Sequence, residues 1–156
     1  HLRSTHNLLC ILGTTKRNAW IAEMAEQGFE FATLLHPSSI LSRRSTLGFG
    51  VSVDSGTVIA GFTRIGDHVR IGRRVAIGHH AEIGSYSTIH PGAVISGHCR
   101  LGEQVTIGAG AVIIDRIEIG DGAFIAAGAV VTKNVPSRAL FAGNPGRIVR
   151  PLYGPR

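Results

Sequence analysis

Four of the eight histidines fall within twenty residues of one another, as His79, His80, His90 and His98. Imidazole is the side chain best suited to moving a proton near neutral pH, and it is also the commonest ligand of transition metals. His80 and His98 stand eighteen residues apart, a spacing that would stack them if the chain coils with that period. Two histidines lacking a third ligand in their column make a poor zinc site, because catalytic zinc takes three protein ligands and structural zinc four. No metal is therefore expected. The thiols, Cys10 and Cys99, are too few for a disulfide framework, and a reducing cytoplasm is the expected compartment.

What positions these histidines is a repeat that runs through most of the chain. From Leu35 every sixth residue to Val131 is a large aliphatic, seventeen in all, and the residue four places after each is mostly small or β-branched. A helix would need apolar spacings of three and four, whereas period six with inward positions at offsets zero and four fits short strands joined by regular turns. Gly follows the aliphatic at 48, 66, 72, 78, 84, 102, 108 and 120, where the pattern predicts turns needing backbone freedom. The hexads resemble those of the left-handed β-helix family, in which three make one triangular coil, and that resemblance implies five to six coils here. Residues eighteen apart would then lie directly over one another at the spacing of a parallel ladder.

That register sorts the candidates. His79 comes two residues after inward Ile77, on a turn, so its ring points outward; such a histidine is ordinarily just solvated. Its column contains Gly61, Gly97, Asp115 and Lys133, with Arg116 and Asn134 beside it, and the two glycines leave space on an otherwise decorated edge. Cys99 is inward and reads as a buried, inert thiol. Arg64, Glu82, Arg100 and Glu118 form a column of alternating sign, which reads as a structural charge ladder.

AIGHHAEIGSYSTIHPGAVISG at 76–97, IGAGAVI at 107–113, IGDGAFIAAGAVVTKNVP at 119–136 and AGNPGRIV at 142–149 together resemble the bacterial hexapeptide-repeat sugar acetyltransferases. Within them the likeness is to the sialic-acid O-acetyltransferase and amino-sugar N-acetyltransferase branch. GFEFATLLHPSSI at 28–40 is similar to that branch's junction between a small nucleotide-sugar-binding α/β domain and its β-helix. The resemblance implies a left-handed parallel β-helix, acetyl-CoA as co-substrate, a sugar or nucleotide-sugar acceptor and a homotrimer. It makes His79 the general base; the absence of an outward Cys or a clear Ser nucleophile motif points to direct attack in a ternary complex instead of an acetyl-enzyme. A second family histidine, which contacts acetyl-CoA, falls on Thr88, with His90 two residues later. The carboxylates that flank the base in the family are replaced here by Gly78 and His80. His80 and His90 are the expected substrate contacts; Gly97, Thr88, Ala109, Ala127, Lys133 and Arg116 are the expected acetyl-CoA contacts, with the pantetheine arm passing Gly97 and the phosphates nearer Lys133 or Arg116. Gly97 N–H is the expected oxyanion donor.

Two other functions share this fold. A γ-type carbonic anhydrase uses three histidines on a metal, but the spacing of these four does not match its set; bound zinc and CO₂ hydration would distinguish it. A non-catalytic trimeric scaffold would be indifferent to loss of His79.

The net charge of +6 over 156 residues permits polyanion binding. Without a Lys/Arg run longer than two, a phosphate-bearing cofactor accounts for the charge better than nucleic acid does. No apolar stretch approaches a membrane span. The sequence divides into a truncated α/β segment at 1–34, the β-helix at 35–136 and a C-terminal tail at 137–156. In the first, LLCILG at 8–13, a helix from Asn18 to Gln27 capped by Asn18 and stopped by Gly28, and a strand at 28–35 make a βαβ remnant. ILGTT lacks the glycine fingerprint of a nucleotide site.

Overall fold

The computed structural model describes residues 8–10 and 17–152. Seventeen two-residue strands recur every six residues, from β1 (Leu34–Leu35), β2 (Ile40–Leu41) and β3 (Thr46–Leu47) to β17 (Val130–Val131). Each pairing joins residues eighteen apart in parallel, as Ala76 with Val94 and Glu82 with Arg100. Every third strand shares a sheet, so three sheets enclose one triangular core. The first sheet begins with Leu34–Leu35, the second with Ile40–Leu41 and the third with Thr46–Leu47. The left-handed parallel β-helix read from the hexads is the fold.

The sixth-residue aliphatics fill the core. Ile59, Ile71, Ile89, Ile95, Ile107, Ile113 and Ile125 are all at most 1% exposed, and burial of each such side chain stabilises by about 1.5–3 kcal/mol. The offset-four residues do more than save space. Buried Thr57, Thr63 and Ser87 donate their hydroxyls to the carbonyls of Gly72, Gly78 and Gly102 at 2.8, 2.9 and 3.1 Å. Cys99 Sγ makes the same bond to Ile114 O. Each small polar residue thus satisfies a corner carbonyl of the coil above, which a buried acceptor requires.

The glycines that follow the aliphatics have a different reason from the one expected. Left-handed backbone falls two places later, at His80 (φ 57), His98 (φ 56), Phe62 (φ 61) and their equivalents, or at glycines such as Gly110. Gly78 itself has an ordinary φ; a Cβ there would stand 2.5 Å from the backbone N of Gly97 in the next coil. Close approach of coil to coil, and not turn flexibility, excludes a side chain.

The charge ladder forms. Glu82 lies 3.0 Å from Arg64 and 4.0 Å from Arg100, with all three side chains largely in solvent. Exposed pairs contribute little, so Glu82→Gln should cost under about 1 kcal/mol at low ionic strength. That difference in thermal unfolding should vanish in molar salt.

At the N-terminal side the βαβ reading is reduced to its essentials. Helix α1 spans Arg17–Glu26, and Leu8 and Phe31 on either side of it form a single parallel bridge; residues 11–13 of the expected first strand lie outside the described residues. Among the described residues the strand expected over 28–35 consists of that bridge and Leu34–Leu35. Asn18 falls inside the first helical turn instead of capping it. Gly28 stops the helix as expected: at φ 82, its N–H donates to Ala25 O and that of Phe29 to Met24 O, the two bonds of a Schellman motif. A contact the sequence did not suggest ties the helix down. Buried Arg17 donates to the carbonyls of His68, Tyr86 and Ser87 at 3.2, 2.7 and 3.0 Å, on the corner between the third and first sheets.

The C-terminal tail is regular. β18 (Ala139–Gly143) adds to the first sheet beyond Phe124–Ile125, pairing Phe124 with Leu140, two residues short of the eighteen-residue register. It buries Ala139 and Phe141 over the core, then returns antiparallel through a cis Asn144–Pro145 bond as β19 (Gly146–Pro151).

Candidate active site

The corner between the second and third sheets carries His79 and His80, between strands Ala76–Ile77 and Glu82–Ile83. Its backbone is locked from both sides: His80 N–H donates to Gly61 O at 3.1 Å, and His79 O accepts from His98 N–H at 2.9 Å. Buried Thr63 holds the carbonyl of Gly78 just before it. The two exposed imidazoles meet through their Nδ1 atoms at 3.0 Å, with their planes at 90°. His79 Nδ1 is therefore occupied, and Nε2 faces elsewhere.

It faces Gly97. A Cβ on Gly97 would lie 3.2 Å from His79 Nε2 and 3.2 Å from Asp115 Oδ1. The absence of a side chain at buried Gly97 lets the Cε1–Nε2 edge of His79 and the carboxylate of Asp115 close in on it from either side. Asp115 Oδ2 in turn takes a 3.0 Å ion pair from Arg116.

The left-handed residues Phe62, His80 and His98 make a stack at this corner. Phe62 lies under His80 at 4.8 Å and 22°, His80 lies under His98 at 4.9 Å and 13°, and the Arg44 guanidinium stands 5.4 Å from the Phe62 ring. A positive φ at the same position in these three coils sends the rings out along one line. Half-buried His98 is held below the ordinary histidine pKa by lost hydration, then by Arg116, His80 and His79, against the pull of Asp115. Among the described residues His80 and His98 have no third ligand in their own column, as expected, but a third imidazole reaches them from beside it. His79, from the adjacent column, brings its ring to 5.0 Å from His98, and ligating atoms of all three lie within 4.8 Å. Among the described residues the sequence did not single out Phe62, whose signal was its place eighteen before His80.

The expected residues divide between two edges. His79, His80, Gly97, Arg116 and Lys133 share the corner just described. His90, Ala109 and Ala127 lie on the corner between the first and second sheets, and half-buried Thr88 lies on the first sheet itself. His90 is held below its ordinary pKa by burial, then by Arg70 and Arg17. Within one chain the two sets do not meet.

Both thiols are buried, and burial pushes the Cys99 thiol up. A thiol that is neither ionised nor exposed is inert. An aromatic disulfide reagent should titrate neither cysteine in the native protein and both in denaturant; rapid native reaction of Cys99 would show the coil around it to be open.

The six-repeat unit of the bacterial transferase hexapeptide family matches the chain twice, over residues 62–97 and 98–133. Among solved structures it is similar to the acetyltransferase domain of PglB from Neisseria gonorrhoeae FA1090, also solved in complex with acetyl coenzyme A. The identity is 27% and the TM-score 0.91, covering 96% of this chain and 73% of that one. A histidine-to-asparagine mutant of perosamine N-acetyltransferase from Caulobacter crescentus, in complex with CoA and GDP-perosamine, is 28% identical with a TM-score of 0.88, covering 92% and 69%. WeeI from Acinetobacter baumannii AYE is 28% identical with a TM-score of 0.82, covering 85% and 65%. No curated protein matches by sequence. Repeat, fold and these likenesses make the chain an acyltransferase. No helix among the described residues is long and apolar enough to cross a membrane.

Proposed function

We propose that the chain transfers acetyl from acetyl-CoA directly to a hydroxyl or amino group of a sugar or nucleotide-sugar, with His79 Nε2 as general base. The observation that carries the reading is the convergence of His79, by its Cε1–Nε2 edge, and Asp115 on Gly97 from either side, where a reacting hydroxyl or amine would be placed between a base and a carboxylate. The Nδ1 atoms of His79 and His80 share a hydrogen bond at 3.0 Å; in the tautomer this reading requires, His79 is the donor, which leaves its Nε2 lone pair free for the incoming proton. His80 thus takes over the orienting task of the flanking carboxylate it replaces. Asp115, across Gly97, would steady the nucleophile. Gly97 N–H, which makes no hydrogen bond among the described residues, would receive the oxyanion of the tetrahedral intermediate. The buried state of both thiols favours a ternary complex over an acetyl-enzyme. Lys133 and Arg116 would receive the anionic end of acetyl-CoA, Arg116 by leaving Asp115.

The two separated edges favour a trimer. Between them, the outer side of the second sheet is apolar: Ile40 is 65% exposed, Val58 43% and Val94 38%, where the third sheet carries its charge ladder. A neighbouring subunit packed there would bring its Thr88, His90, Ala109 and Ala127 towards His79 of the first. We also read 1–34 as a truncated α/β segment, 35–136 as the β-helix acyltransferase domain and 137–156 as its C-terminal tail, and a cytoplasmic location as the place where acetyl-CoA is available.

Thiol release from acetyl-CoA, scanned over free sugars, amino sugars and nucleotide-sugars, tests the reaction. One acceptor class should give turnover that Gly97→Ala, whose Cβ comes between His79 and Asp115, suppresses. Turnover unaffected by Gly97→Ala would put the acceptor elsewhere.

A further inference from the structure

The three-histidine corner supports a second event, distinct from acetyl transfer. We propose that His79, His80 and His98 bind one borderline transition-metal ion, Zn²⁺ foremost, and that the bound ion switches the base off.

The donors are three imidazoles whose ligating nitrogens lie within 4.8 Å of one another, and nitrogen donors select Zn²⁺, Ni²⁺ and Cu²⁺ over Mg²⁺ and Ca²⁺. His79 and His80 are nearly set. Tetrahedral zinc at about 2.0–2.1 Å from each nitrogen requires them to be about 3.3–3.4 Å apart, and their Nδ1 atoms stand at 3.0 Å. The ion therefore enters where the shared proton now sits, after a parting of a few tenths of an ångström. His98 has further to go, since its ring lies 13° from parallel to that of His80 and a metal must sit in the plane of every ligand. It turns out of the stack to reach the ion, on a backbone fixed by its bond to His79 O. Asp115 is on the other, Nε2, side of His79, so water completes the coordination.

Binding requires no net loss of protons from the neutral pair. The ion takes the lone pairs of both Nδ1 atoms, and the proton of His79 moves through solvent from Nδ1 to Nε2. The nitrogen that faces Gly97 then carries a hydrogen and cannot accept another. This inhibitory half rests on His79 being the base; the binding half does not.

Calorimetric titration of Zn²⁺ into chelator-treated protein should show one ion per chain, undisturbed by excess Mg²⁺. His98→Ala should weaken binding by at least about tenfold, with circular dichroism confirming that the β-helix persists. Sub-stoichiometric binding, or equal affinity in the variant, overturns the site. In the transfer assay Zn²⁺ should inhibit in step with occupancy and EDTA should restore the rate. The half-inhibiting concentration should rise at least about tenfold in His98→Ala, measured against that variant's own metal-free rate. If Zn²⁺ fills the site at unit stoichiometry and transfer continues undiminished, the inhibitory half falls and with it the role of Nε2, while the metal site stands.

Discussion

His79→Ala lowers kcat by about 10²- to 10⁴-fold, the contribution expected of a positioned general base, and leaves the KM for acetyl-CoA close to its starting value. The side chain is exposed, and its described contacts are with two other exposed or half-buried rings. Truncation therefore costs the fold little, and thermal unfolding should move by no more than the roughly 0.5 kcal/mol usual for surface changes. Steady-state rates beside a melting curve separate the two effects. A variant that melts normally and retains a third or more of wild-type kcat would show that the proton goes to another group. His80→Phe makes the complementary measurement. It preserves the stack with Phe62 but removes the acceptor that fixes the tautomer of His79, so kcat falls while KM and stability hold. His80→Gln, which keeps an acceptor, should recover part of the loss.

The largest expected effect on stability comes from one methyl group. Gly78→Ala places a Cβ 2.5 Å from the Gly97 N and 2.6 Å from Ser96 C. These are backbone atoms of the adjoining coil, so no rotamer change relieves the clash and two coils must part. Overpacking of this kind costs about 1–3 kcal/mol or more. The same parting displaces Gly97 from His79, so activity should drop alongside stability. Gly110→Ala is the comparison. Gly110 has φ 66 and open space around its Cβ position, so only the left-handed backbone is penalised, at roughly 1–2 kcal/mol. Chemical denaturation should rank Gly78→Ala as the more damaging. The opposite order would mean that the corners, and not the coil spacing, limit what these positions accept.

The substitutions at Gly78, His79 and His80 probe three different properties of the same short run, AIGHHAEIG. Gly78 sets how closely the coils approach; in the proposed mechanism His79 presents a nitrogen to the acceptor and His80 decides which nitrogen that is. One corner thus depends on spacing, exposure and tautomer together.

How much of this was legible in the sequence follows from what kind of fact each part is. The period of six, the inward aliphatics and the eighteen-residue register are one-dimensional patterns. A β-helix preserves them because each coil repeats the last, so Arg64 over Glu82 and Gly97 over His79 could be read before any coordinates. The reason for glycine at 78 could not, because it depends on the distance between successive coils. The span of α1 was misjudged by a residue, and the pairing of β18 two residues out of register accompanies the closing of the core by Phe141.

The site divides in the same way. The sequence by itself determined that His79 stands outward, above Gly61 and below Gly97, because a solenoid converts residue number directly into position along an edge. Only the tertiary structure decided that His79 Nδ1 meets His80, that Nε2 looks across Gly97 at Asp115, and that His98 joins the pair as a third imidazole. These are matters of side-chain direction around a corner, set by a left-handed residue and by ring stacking, and a repeat pattern does not encode them. The separation of Thr88, His90, Ala109 and Ala127 on another edge has the same cause: hexads in neighbouring faces look alike in sequence, yet the chain turns a corner between them.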